Sequence, residues 1–174
     1  MTSQDLIQTV CTVLCKTLTP SQAEEILAAT RPRSVPAGSI VFREGLVGDV
    51  RFLLLKGSVE VVKQGPNGPS QQLATVDAPS VLGEMSLVSE RRHSATVRAI
   101  TDCEFRVLAR ETFLRLLERD NLAAHKLLGA IAEVLARRLR RMNDMAMELL
   151  GRSDTPPMEE MARFKQKLFS EWSF

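Results

Sequence analysis

The stretch Val81-Leu-Gly-Glu-Met-Ser-Leu-Val-Ser-Glu-Arg-Arg-His-Ser-Ala-Thr-Val-Arg-Ala99 carries the most specific information in this chain. Gly83 lets the backbone turn closely, and the residues after it can form one helical turn whose free N–H groups cradle an anion. Glu84 supplies an acceptor for hydroxyl groups at the edge of such a cradle. The chain then returns into a strand through Ser94 and Ala95, a segment that we call the strand return. Its small side chains permit close approach of a ligand. The stretch therefore predicts an anion-binding turn.

Short β-rich runs separated by turn residues surround this stretch, from Arg33 to about Arg110. The turn at Gly65-Pro-Asn-Gly-Pro69 is predicted to be a hairpin tip, because Asn-Gly suits positive φ. Short strands at this spacing predict an all-β barrel or jelly roll. The predicted strands are Ser39–Phe42, Phe52–Leu55, Ser58–Val62, Gln72–Val76, Ala95–Ala99 and Glu104–Leu108.

Helical patterns precede the predicted barrel. Apolar periodicity predicts a first helix from about Asp5 to Cys15. A second helix is predicted to begin at Pro20, capped by Thr19, and to run to about Thr30.

A long helix follows the barrel, after a short helix at Glu111–Arg119. It is predicted to be capped by Asn121 and to stop at Gly151. Its apolar residues recur every seven positions with a second matching stripe, which is the pattern of a coiled-coil seam. Arg138 interrupts the second stripe, although Leu139 beside it can substitute. A monomer could instead lay this stripe on its own barrel. The residues expected to dimerise are Leu128, Ile131, Leu135, Leu139, Met142, Met145 and Leu149.

Composition narrows the class of protein. A chain of 174 residues suits one domain with its own core, and a formal net charge of +2 does not argue for nucleic acid or membrane binding. No apolar run approaches the roughly 18 residues that a membrane span requires. The N-terminus has no basic region before an apolar stretch, so we expect no signal peptide and a cytoplasmic location.

Three cysteines raise the question of a metal centre. Cys11 and Cys15 are one helical turn apart, whereas Cys103 is distant in sequence. Three such residues lack the number and spacing of ligands for a metal or iron–sulfur site. We therefore expect small buried side chains and no metal or other cofactor.

The opening stretch resembles the phosphate-binding cassette of the cyclic-nucleotide-binding domain family, the module of the catabolite activator protein and the protein kinase A regulatory subunit. Pro36–Gly45, followed by Gly48-Asp49, is similar to the early strands of that family. Its central hairpin and closing strands are matched by Leu53–Val61 and Thr96–Phe105, and its long helix by Ala136-Arg-Arg-Leu139. The resemblance covers about residues 5–150. It implies a mainly β protein, a cyclic-nucleotide-binding jelly-roll barrel (cupin-like) with N-terminal helices and a long C-terminal dimerisation helix.

The resemblance also implies a site for cyclic AMP or cyclic GMP. Glu84 would bind the ribose hydroxyl, and backbone groups around it would line the phosphate and sugar. Ser94 and the Ala95 backbone would face the phosphate, and the long helix would close over the base. The implied ligand-binding residues are Gly83, Glu84, Met85, Ser86, His93, Ser94, Ala95, Met142 and Asn143.

His93 is the chief departure from the family pattern. It stands nine residues after Glu84, where the family places an arginine that grips the cyclic phosphate. Histidine has a shorter reach and an unperturbed pKa near ~6.5, so phosphate binding through His93 should strengthen at lower pH. Arg92 is adjacent, but neighbours on a strand point to opposite faces, so we expect it to aim away from the pocket. The departure leaves two hypotheses: a sensor with altered ligand preference, or a degenerate, ligand-free dimeric scaffold that binds another protein.

We divide the chain into a domain over 1–151 and a tail over 152–174. The domain comprises helices over 5–30, a β-barrel over 33–110 and C-terminal helices over 111–151. Only 23 residues follow Gly151, too few for a helix-turn-helix unit, so we expect no DNA-binding domain. The tail is expected to be a linker and an amphipathic segment, docked on its own barrel or on an unknown protein partner. No catalytic set emerges, and we expect a bacterial, homodimeric regulatory protein that is not an enzyme.

Overall fold

The computed structural model describes residues 2–48, 50–65, 70–83 and 92–150, with the backbone alone at 138, 141, 142 and 145–150. The strands in these ranges are β1 (Arg31–Val35), β2 (Ile40–Phe42), β3 (Val50–Lys56), β4 (Ser58–Lys63), β5 (Gln71–Asp77), β6 (Ser80–Leu82), β7 (Thr96–Ala99) and β8 (Cys103–Ala109). The helices are α1 (Ser3–Thr9), α2 (Pro20–Ala28), α3 (Arg110–Glu118) and α4 (Leu122–Leu150), with a π-helical turn at Val10–Leu14 after α1.

The strands form two antiparallel sheets of four strands each. One sheet has the order β1-β8-β3-β6 and the other β2-β7-β4-β5. This alternation between two sheets is the jelly-roll arrangement, and it confirms the prediction of a mainly β fold with flanking helices. Two strands, β1 and β6, were missing from the prediction. Strand β1, with the sequence Arg-Pro-Arg-Ser-Val, lies at an exposed edge of its sheet, and β6 has only three residues. Neither strand therefore shows the alternation of a half-buried strand.

Apolar side chains form two core layers, one on each side of β3. Phe52 and Leu54 face the other sheet, whereas Leu53 packs with the helices. Because both faces of β3 are covered, its residues 52–55 form a continuous apolar run and not an alternating one.

The N-terminal helices cover the outer face of the β3 sheet. The predicted cap of α2 is present: Thr19 Oγ1 accepts from the Gln22 N–H at 3.3 Å, and Gln22 Oε1 accepts from the Thr19 N–H at 3.1 Å. The first helix is less regular than predicted, since it changes at Val10 to a π-helical turn that ends at Cys15. Cys15 is 3% exposed and packs in this core, and Cys103 is buried between the sheets.

Among the described side chains of the long helix α4, the buried ones lie in its first half. Its cap is Asn121, whose Oδ1 accepts from the Ala124 N–H at 2.9 Å. Leu127 and Ile131 are 0% exposed against the helical core, and Leu128 and Leu135 are partly buried there. Burial in the chain's own core removes Ile131 from the dimer contact that the heptad pattern predicted. The described side chains from residue 137 onward are exposed: Arg137, Leu139, Arg140, Asn143 and Asp144.

Two further predictions concern the hairpin between β4 and β5 and the question of a membrane-spanning helix. The hairpin that joins β4 to β5 is present, but residues 66–69 of its predicted tip lie outside the described ranges, as does the tail after Leu150. Within those ranges, no helix combines the length and apolarity needed to cross a bilayer.

Gly57, between β3 and β4, offers a test of how tightly the two sheets are joined. Its φ is +91°, and an added Cβ would lie 2.5 Å from the Asp102 carbonyl oxygen and 2.8 Å from Cys103 Sγ. We expect Gly57→Ala to lower the free energy of unfolding by about 3 kcal/mol or more, because backbone strain and a clash add together. Urea denaturation measures the change.

Gly38→Ala is the matched control, since Gly38 also has positive φ (+78°) but open space around its Cβ position. It should lose only the backbone term, about 1 kcal/mol. Equal losses in the two variants would contradict a steric role for the Gly57 corner.

Candidate functional site

Residues 92 and 93, in the stretch Val81–Ala99, are hydrogen-bonded to the turn between β2 and β3. The Gly45 N–H donates to the His93 carbonyl at 2.9 Å, and the His93 N–H donates to the Leu46 carbonyl at 2.8 Å. Val47 and Arg92 pair as an isolated antiparallel bridge. These backbone bonds hold residues 92–93 before β7 begins and so determine where the two side chains point.

His93 and Arg92 point in different directions, as the sequence predicted. The His93 imidazole stacks on the Phe42 ring with centroids 4.1 Å apart, and Phe42 stacks in turn on the buried Phe52. Arg92 is exposed, and its Nη1 donates to the Gly45 carbonyl at 2.6 Å. The position where the family has its arginine therefore presents an imidazole that packs on the aromatic core.

A charged cluster that the sequence reasoning missed lies beside Ser94. Lys63, at the end of β4, donates from Nζ to the Ser94 carbonyl at 2.6 Å and to Glu44 Oε1 at 3.1 Å. The other oxygen, Glu44 Oε2, accepts from the Gln64 N–H at 2.9 Å, and the Glu44 N–H donates to Thr96 Oγ1. The cluster joins β4, the β2–β3 turn and the strand return in one network.

The Glu44 carboxylate is stabilised in its charged form. Burial pulls the pKa of Glu44 upward, but hydrogen bonds from the Gln64 amide and the Lys63 ammonium, together with the positive charge of Lys63, outweigh it. The pKa of Glu44 therefore lies below its ordinary value. At neutral pH the cluster holds a carboxylate and an ammonium side by side.

The remaining predicted ligand residues are distributed as follows. Gly83 has a φ of +75°, the conformation that allows the close turn expected of it. Ala95 is 2% exposed and Ser94 is exposed. Glu84, Met85 and Ser86 lie outside the described residues, as does the side chain of Met142. Asn143 is exposed on α4.

Of the two charged residues in this cluster, Lys63 has a signal in the sequence, which is the alternation of side chains along β4. Val59 and Val61 face the core, so strict alternation along β4 assigns Lys63 to the same face. A lysine at that position is a polar residue on the inner side of a barrel strand. Glu44 had no comparable signal, because its partners come from segments distant in sequence.

The two four-stranded antiparallel sheets define a jelly-roll domain. Residues 32–120 match the family model of the cyclic nucleotide-binding domain, and the chain belongs to that family.

Relatives span both bacterial and eukaryotic proteins. The cyclic AMP receptor protein of Thermus thermophilus is 35% identical over 134 residues, covering 77% of this chain and 60% of that protein. A cAMP-dependent protein kinase regulatory subunit of Aspergillus fumigatus is 34% identical over 104 residues, covering 60% of this chain and 24% of the relative. A cyclic nucleotide-binding domain from Methylobacillus flagellatus shares the fold, with a TM-score of 0.72 at 24% identity over 89% of this chain and 85% of that one. The chain thus spans less than two thirds of the two curated relatives.

The depressed pKa of Glu44 predicts a pH dependence of stability. Since the folded pKa lies below the unfolded value near ~4.3, the contribution of Glu44 is complete above about pH 5 and is lost as pH falls through the folded pKa. We expect Glu44→Gln to be less stable than the parent by about 1 kcal/mol at pH 7. That difference should shrink toward zero by about pH 3. Urea denaturation at several pH values measures it, and a difference that is constant with pH would contradict the assignment.

Proposed function

We propose that this chain is a non-catalytic regulatory module that binds a cyclic nucleotide at the strand return of its barrel. The observation that carries the proposal is the match of residues 32–120, which include the strand return with His93, to the cyclic nucleotide-binding domain model. Gly83 has the backbone conformation of the expected turn. The names of the relatives, a cyclic AMP receptor and a cAMP-dependent regulatory subunit, favour cyclic AMP, with cyclic GMP as the alternative ligand.

Charge at the site makes the proposed binding sensitive to pH. Among the residues that the structure describes, the charged groups with contacts at the strand return are Arg92 on the same segment, Glu44 on the β2–β3 turn and Lys63 on β4. A neutral imidazole can donate one hydrogen bond to a phosphate but adds no positive charge. A bound phosphate favours the imidazolium, so affinity should rise as His93 is protonated.

The long helix is the proposed output. Beyond Arg137 its described side chains are exposed, and residues 137–150 extend about 20 Å. Leu139, 59% exposed, is a large apolar residue on this part of the helix. We propose that two copies pair along it and that ligand binding is transmitted through it to a protein partner, by way of the tail over 152–174. A cytoplasmic location and the division at residue 151 are parts of the same proposal.

A second candidate is a ligand-free dimeric scaffold. The observation that favours it is the stacking of His93 on Phe42 at 4.1 Å, which gives the imidazole a role in packing without any ligand. In that case the barrel would serve only to present α4 and the tail.

Titration calorimetry with cyclic AMP and cyclic GMP at pH 6 and pH 8 tests the choice between the two. We expect micromolar binding at pH 6 that weakens at pH 8, because deprotonation of His93 removes its charge. His93→Arg should remove most of this pH dependence, since arginine stays charged at both pH values. Absence of binding to the folded parent, together with binding by His93→Arg, would support the scaffold.

Dimerisation through α4 has its own test. Leu139→Glu places a charge in the proposed seam and should convert the dimer to a monomer in analytical ultracentrifugation. Leu122→Glu is the matched control, because Leu122 is 60% exposed at the other end of the same helix. A monomeric parent, or a Leu139→Glu variant that stays dimeric, would contradict this part of the proposal.

A further inference from the structure

Lys63 has a position in the barrel that its ion pair with Glu44 does not by itself explain. Antiparallel pairing aligns Val61 with Val97 and Val62 with Thr96, and Lys63 is the next residue of β4 after this last pair. Val61 and Ala95 are buried on the core side. The lysine therefore continues the inner face of β4 at the point where the strand return begins.

The ammonium group reaches the same residues that the site uses. Lys63 Nζ lies 2.6 Å from the carbonyl oxygen of Ser94, the residue expected to face the phosphate. Its side chain is 42% exposed, so a solute can reach it. An ammonium has three N–H donors, and the described acceptors, Ser94 O and Glu44 Oε1, take two of them. A third donor remains for an anion.

We propose that Lys63 is a ligand-binding residue of this domain and that its ammonium donates a charge-assisted hydrogen bond to the phosphate of the bound nucleotide. The inference rests on the proposed function. An ammonium brings a positive charge to the phosphate, which a neutral imidazole does not. It comes from a different strand than the family's arginine and acts beside the same strand return.

Glu44 sets the strength of this interaction. Its carboxylate holds the ammonium next to Ser94, but it also repels an incoming phosphate. Replacement by glutamine keeps an acceptor for Lys63 and removes the negative charge. The site is thus adjusted by two opposite charges: Lys63 attracts the ligand and Glu44 limits its affinity.

Calorimetry at pH 7 with cyclic AMP and with adenosine, which lacks the phosphate, tests the assignment. Lys63→Met should weaken binding of cyclic AMP about tenfold or more and leave adenosine unaffected, because only the phosphate bond is lost. Glu44→Gln should tighten binding of cyclic AMP by a factor on the order of 3 to 10. Lys56→Met is the matched control and should change the affinity for neither ligand. Lys56 ends β3 and pairs with Glu104 of β8, and both strands belong to the sheet that does not contain Lys63.

The outcomes separate this inference from the proposed function. If the parent binds cyclic AMP and Lys63→Met binds it equally well, the inference is wrong and the function stands. If the parent binds no cyclic nucleotide, the proposed function is wrong. The role of Lys63 in binding an anion is then tested by titration with inorganic phosphate, followed by the backbone amide NMR shifts of Gln64 and Ser94. Saturable shifts that Lys63→Met abolishes would support it. Shifts that persist in Lys63→Met, or no shifts in the parent, would overturn it.

Discussion

The antiparallel ladder between β4 and β7 is the constraint on which the rest of the site depends. It pairs Val59 with Ala99 and Val61 with Val97, and its inner face is closed by these buried side chains. Because side chains alternate along a strand, the same pairing that builds the core also determines which residues emerge at its end. The ladder brings Lys63 next to the strand return, and the hydrogen bond of 2.6 Å from its Nζ to the Ser94 carbonyl joins the two.

A second layer of organisation comes from β3, which is covered on both faces. Its inward residues complete the space between the sheets, and its outward residue Leu53 joins the core of the helices. This shared strand connects the barrel mechanically to α4, because Leu127 and Ile131 pack in the same outer core. The strand β3 thus contacts the layer that includes Phe42 on one face and the core that includes α4 on the other.

Features that depend on residues close together in the sequence were predicted, and features that depend on distant residues were not. The caps at Thr19 and Asn121 were predicted because a cap and its N–H partner are three residues apart. Six of the strands were predicted because each is a β-rich run between turn residues, whereas the exposed edge strand β1 and the short β6 carry no such pattern. The opposite directions of His93 and Arg92 followed from strand alternation alone. The heptad pattern of α4 could not separate residues that pack on the chain's own core from those left exposed, because both require the same apolar stripe.

The sequence by itself determined the class of fold, the family and the position of the unusual histidine, since each of these is encoded in contiguous motifs. Only the tertiary structure decided what surrounds that histidine. Phe42 stacks on it, and Glu44 and Lys63 meet beside the neighbouring Ser94. All three lie far from His93 along the chain, and β-sheet pairing and sheet packing bring these distant segments together. Their contacts depend on register and on the turn between β2 and β3. Local sequence propensity determines neither the register nor the position of this turn, because the interactions that stabilise them form only when the two sheets pack together.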